Sequence, residues 1–172
     1  MIIFLGMTPA EELKYHFREA YRGLTLPGAR VLVPRSGRLV AGPAAGHFHL
    51  RAELFLQRGG TTRFRFPDED MDLGPGEVLI VPPQLHHAES IVAGGQPFRN
   101  VVLYADEAAL SCHLADGTPA AGPRIAYPEH REGPVCGQVA LWLADAVRVS
   151  QEVSGAAEVA VDLVRSVLGM TL

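Results

Sequence analysis

His47-Phe48-His49-Leu50-Arg51-Ala52-Glu53 is the stretch on which the reading of the fold turns. Two histidines one residue apart point to the same side of an extended chain, so both imidazoles can reach one ion without distorting the backbone. If that strand ran straight on to Glu53, Arg51 would face the same ion and be repelled by it. A turn at Leu50-Arg51-Ala52, with Glu53 opening the next strand, removes the conflict. A second pair, His86-His87, follows on a later extended segment, where neighbours face opposite sides. Three neutral imidazoles and a carboxylate suit a divalent first-row transition metal such as iron, manganese, nickel or zinc, and an octahedral ion so held keeps open positions for a small ligand.

The sequence on both sides predicts many short strands between helices. Val31-Leu32-Val33, Leu54-Phe55-Leu56, Val78-Leu79-Ile80-Val81 and Val101-Val102-Leu103 are apolar runs bounded by Gly or Pro, which defines an all-β block from Arg30 to Asp106. Thr61 to Phe66 alternates, with Phe64 and Phe66 on the face that should point inward and Arg63 and Arg65 on the other. Upstream, Thr8-Pro9-Ala10-Glu11 is a capping box with proline at the first helical position, and Ala10, Leu13, Phe17 and Ala20 repeat at helical spacing until Gly23. Downstream, residues 107–135 are read as one strand at Leu110–Leu114 followed by a loop rich in Pro and Gly. Two helices should close the chain, one over Val139–Val149 and one capped by Ser154, with Leu141, Val147, Val161, Val164 and Leu168 marking their apolar stripes. The expected organisation over 1–172 is therefore a single domain: an N-terminal helix at 8–22, a barrel at 30–115 and C-terminal helices at 137–170.

Composition narrows the function. A 172-residue chain that is 48% hydrophobic and 20% charged can build a real core. Its net charge of -4 supplies no basic field for a polyanion, which disfavours direct nucleic-acid binding. Cys112 and Cys136 fit neither a disulfide framework nor a thiolate zinc site and read as reduced thiols. Met1–Leu5 lacks the basic flank of a signal peptide, and no segment approaches the roughly 20 apolar residues of a membrane span, so a soluble cytoplasmic protein is expected.

The motif residues resemble the cupin superfamily. Its first motif is matched by Gly42, His47, His49, Glu53 and Gly60, and its second by Gly76, Pro82 and His87, with Gln84 where a glycine is usual, Gly42 one residue nearer the histidines than usual, and Ile91 where many members have asparagine. The resemblance implies a cupin-type double-stranded β-helix, or jelly-roll barrel, with flanking helices, and a metal held by His47, His49, Glu53 and His87. His86 then reads as a surface or loop histidine, and His16, His113 and His130 as structural. Within the superfamily, Glu53–Gln57, Arg63–Pro67 and Pro82-Pro83 with His87 are similar to the N-terminal sensor domain of AraC-type transcription regulators, over roughly residues 30–170. In those regulators the barrel binds an effector, helices after it dimerise, and a helix-turn-helix follows. Beyond Val149, Arg165 is the sole basic residue, too little for such a reader, so the chain is expected to be either a shortened regulator or one without its DNA-binding part.

Two functions are in view. The first is a small-molecule sensor whose pocket is lined by Phe55, Gln57, Phe64, Phe66 and Tyr104, and which forms a homodimer through its C-terminal helices. The second is a metal-dependent dioxygenase or isomerase acting on a small carbonyl or phenolic substrate. No carboxylate besides Glu53 stands plainly inside the barrel to serve as acid or base, which tilts the reading toward binding, and no catalytic residue is assigned.

Overall fold

The computed structural model describes residues 6–35, 46–94 and 96–172. The N-terminal helix α1 (Pro9–Gly23) starts as its sequence dictates: Thr8 caps it, Glu11 returns the bond to the Thr8 backbone, and Pro9 supplies the fixed first turn. Leu13, Phe17 and Ala20 form its buried stripe.

The strands that follow are β1 (Val31–Leu32), β2 (Glu53–Gly59), β3 (Thr61–Arg65), β4 (Asp70–Leu73), β5 (Val78–Val81), β6 (Ala88–Val92), β7 (Arg99–Ala105), β8 (Ala109–Thr118) and β9 (Gly122–Glu132). They make a six-stranded sheet in the order β1-β5-β2-β7-β8-β9, facing a three-stranded sheet in the order β4-β3-β6. Only the β1–β5 pair is parallel among the described residues. The chain ends in α2 (Val135–Glu152) and α3 (Ala157–Thr171). The architecture is the expected β-sandwich of cupin type with one helix before it and two after.

Alternation along the strands of the large sheet separates two cores. Leu54, Leu56, Val101, Leu103, Cys112 and Leu114 face the helices and pack with Phe17, Val139, Leu143, Val164 and Leu168. Phe55, Leu79, Val81 and Val102 face the small sheet and meet Phe64, Phe66, Leu73 and Leu85. Phe64 is fully buried and its ring lies edge-on to Phe55, 4.9 Å between centroids, so the inward direction expected for Phe64 and Phe66 is observed. Burying one such side chain contributes about 1.5–3 kcal/mol.

Three expectations are corrected. Residues 122–132 form a strand rather than a Pro/Gly-rich loop, and the sheet runs on to Glu132 instead of ending near 115. Pro123 and Pro128 hid it, yet β9 lies at the end of the sheet, where a missing N–H costs no ladder bond on the open side. The last helix starts after Ala156, not at a Ser154 cap. Leu141 is outside the buried stripe of α2, which consists of Cys136, Val139, Leu143, Ala146 and Val147.

Candidate metal centre and adjoining cavity

Two loops bring the ligand side chains together. His47 and His87 form an isolated antiparallel bridge, each backbone N–H donating to the other's carbonyl at 2.8 Å. One register step away, Gln84 N–H donates to His49 O at 2.7 Å. His47 and His49 therefore sit on a short extended strap rather than in a regular strand. Leu50 and Arg51 then bend the chain, and Glu53 opens β2, as the repulsion argument required. Gln84 makes this connection at φ +62°, the left-handed region where a side chain is strained. Gly60 at φ +64° and Gly76 at φ +88° occupy the other motif turns, while Gly42 lies outside the described residues.

The structure brings His47, His49, Glu53 and His87 together, with one ligand atom of each within 4.8 Å of all the others. His49 Nε2 is 3.3 Å from Glu53 Oε1, and His87 Nε2 is 3.6 Å from Glu53 Oε2. Donors about 2 Å from a shared first-row ion stand roughly 3–4 Å apart, so the spacing suits one ion. His87 Nδ1–H donates to Leu85 O at 3.0 Å, which leaves the Nε2 lone pair pointing at the centre. That nitrogen and Glu53 Oε2 are both buried without a hydrogen-bond partner, as ligands waiting on a cation would be. His86 is not in the cluster; its ring stands over Gly46, where any Cβ would fall 2.4 Å from it.

Burial biases these groups toward the metal-binding form in one case and away from it in another. It holds the His87 imidazole down at about 4, and it also lowers His47 and His49, with the neighbouring histidines adding to the effect. All three imidazoles are thus neutral and free to ligate at neutral pH. Burial, and then the Glu89 charge, push the Glu53 carboxyl up to about 8, so it holds a proton at pH 7 until a cation replaces it.

The cluster forms one end of a cavity of about 430 Å³, walled by Phe55, Phe98, Val102, Ala115 and Ile125. Tyr104 lines it too, its ring stacked 6.2 Å from His49. Of the other expected pocket residues, Phe64 and Phe66 stand behind His87, their rings 6.4 Å and 6.2 Å from it, and support the ligand rather than line the cavity. Gln57 is committed to the fold: its Nε2 donates to Gly59 O and its Oε1 accepts from Thr62 Oγ1, both at 2.8 Å.

Among the lining residues that escaped the sequence reading, three bear on the chemistry. Glu89 turns its carboxyl toward the centre, 3.8 Å from His87 Nε2, and burial raises it to about 7. This corrects the expectation that Glu53 is alone, and the signal was present, because Glu89 is two residues from His87 on one strand and so shares its face. His113, expected to be structural, lies in the cavity wall beside His49, and burial lowers its pKa. Asn100, on β7 two residues from Val102, is 1% exposed and its Oδ1 has no partner. An amide oxygen left so costs about 1–3 kcal/mol.

A two-sheet jelly roll with a His/Glu cluster in a cavity open to solvent defines a cupin-type ligand-binding barrel. A scan against family models matches residues 44–163 to the AraC-like ligand binding domain. The chain belongs to that family. No curated protein and no solved structure matches it significantly. Among the described residues no helix is long and apolar enough to cross a membrane.

Proposed function

We propose that this chain is a small-molecule sensor module: a divalent transition metal held by His47, His49, Glu53 and His87 anchors a ligand lying in the adjoining cavity. The observation that carries this reading is the union of an orphaned donor set with an aromatic-walled space of ligand size. The bound ion supplies coordination positions for an anionic oxygen of the ligand; iron, manganese, nickel and zinc all suit the donors. The protein supplies the rest. Leu85 O fixes the His87 tautomer, Phe64 and Phe66 hold its ring, and Phe55 and Val102 keep water from the apolar wall. The proposed setting is the cytoplasm, consistent with two free buried thiols. DNA binding would need a partner or another segment, since the net charge is -4.

Homodimerisation through α2 and α3 is part of the proposal, with a narrower basis than the sequence suggested. Most of the helical apolar stripe is consumed inside the chain, and the outward large apolar residues of the two helices are Val135, Leu141, Val159 and Met170. Light scattering on Leu141→Lys/Val159→Lys protein would give a monomer if they form the interface.

Glu89 supports a second reading. A buried carboxyl beside the proposed metal and held near neutrality is a group able to take or give a proton, which a dioxygenase or isomerase would need. Oxygen consumption and product analysis with the ferrous protein and a panel of carbonyl and phenolic compounds separate the two. A sensor shows ligand-induced stabilisation without product; turnover abolished in Glu89→Gln would establish the enzyme.

A further inference from the structure

Two amides stand opposite each other in register on β2 and β7, Gln57 and Asn100, and the fold uses them differently. Gln57 spends both its oxygen and its nitrogen on the protein. Asn100 is as deeply buried, lines the cavity with Phe98 and Ala115, and leaves its Oδ1 unmatched. A buried amide whose oxygen has no protein donor, on a residue that lines a ligand-sized space, is placed to hydrogen-bond what fills that space.

Register sets the distance. Glu53 pairs with Tyr104, and Asn100 lies four residues further along β7 on the same face, about 14 Å by strand rise. The two side chains stand roughly perpendicular to the strand, so subtracting only a metal–oxygen bond and a hydrogen bond leaves roughly 9 Å for the ligand between its chelating oxygen and its donor. The one lysine or arginine among the described lining residues, Arg124, is engaged by Asp116 at 2.7 Å, so the ion is the strongest free positive charge the cavity offers an acid.

Resting on the sensor reading above, we propose that Asn100 reads the far end of the ligand, and that the ligand is an elongated acid: a carboxylate head on the metal, a flat apolar body lying over the wall made by Phe55 and Val102, and a hydroxyl or N–H donor at the distal end. Asn100 is then the specificity determinant, since a site built to receive a donor rejects a ligand that lacks one.

The test uses three matched pairs on zinc-loaded protein: 4-hydroxyphenylacetate, 3-(4-hydroxyphenyl)propanoate and 4-(4-hydroxyphenyl)butanoate, each against its counterpart without the hydroxyl, with dissociation constants from calorimetry. At least one pair should favour the hydroxylated acid by tenfold or more. Asn100→Leu should erase that preference while still binding the plain acid, and its unliganded Tm should equal or exceed that of the parent protein, because no protein contact is lost. Equal affinities within every pair, or a preference that survives Asn100→Leu, would overturn the assignment while leaving the sensor reading standing. If none of the six acids binds the zinc-loaded protein, the elongated-acid assignment is overturned; only a protein that fails to take up zinc at all would sink the metal-anchored sensor reading with it. A lower Tm in Asn100→Leu with unchanged selectivity would make Asn100 a structural residue.

Discussion

The two faces of the large sheet are made by the same strands and do opposite work. On β7, Val101, Leu103 and Ala105 look toward the helices, while Asn100, Val102 and Tyr104 look into the cavity. The helix side is mainly apolar, and the Glu12 carboxylate buried there is met by Arg99 at 2.9 Å and by His16 at 3.4 Å. The cavity side carries Glu53, Glu89, Asn100 and His113, groups that a core chosen for stability alone would leave out. Because side chains alternate, one face can be given up to binding without loosening the other. Strand period two thus lets a thin domain keep its stability and its chemistry a few ångströms apart.

That division can be broken from either side. On the cavity side, His87→Ala or Glu53→Ala should weaken zinc binding at least a thousandfold, about 4 kcal/mol, and remove metal-dependent stabilisation. His86→Ala should change it little. Metal analysis and calorimetry decide, and equal losses from His86→Ala and His87→Ala would undo the assignment of the ligand. On the helix side, Leu103→Ala should cost about 3 kcal/mol in denaturant unfolding and leave the zinc affinity of the folded protein unchanged.

Acidity tests the cavity side without mutation. The Glu53 carboxyl, raised to about 8, favours the folded metal-free protein fully below the ordinary carboxylate range, and that contribution is lost as pH rises through 8. The His87 imidazole, lowered to about 4, acts in the reverse sense: its contribution is present above 6.5 and is lost as pH falls toward 4. The two oppose each other between about 4.5 and 6.5. Above that, metal-free protein should lose on the order of 2 kcal/mol by pH 8. Zinc-loaded protein should not show this loss, and binding at pH 7 should release close to one proton, measurable by calorimetry in buffers of different ionisation enthalpy. The smallest effect belongs to the turn between the faces: Gln84→Gly relieves the left-handed strain and should raise stability by about 0.5–1 kcal/mol.

Legibility followed the same division. The capping box at Thr8–Glu11 and the alternation of Phe64 and Phe66 declared themselves because local rules suffice for them. The four clustered side chains were readable from spacing and family likeness together. β9 was not, since its place at the sheet's end, which makes Pro123 and Pro128 tolerable, is a property of the whole topology. Asn100 and Gln57 could not be told apart in sequence either: each is an amide in an apolar run, and only the pairing of Gln57 with Thr62 and Gly59 shows which one is spent.

The reciprocal backbone bonds between His47 and His87 bear on time as well as shape. Where an ion must gather its ligands from a disordered chain, loading is as slow as folding and release amounts to unfolding. Here the strap is already pinned to its neighbour by main-chain bonds that owe nothing to a cation, and His47 at the rim is open to solvent. On the metal-anchored reading proposed above, loading and emptying become ordinary exchange, set by the free metal concentration around the protein. Amide hydrogen exchange reads this directly: the His47 and His87 amides should stay protected after chelator treatment, and their loss of protection would mean that the ion builds the site it occupies.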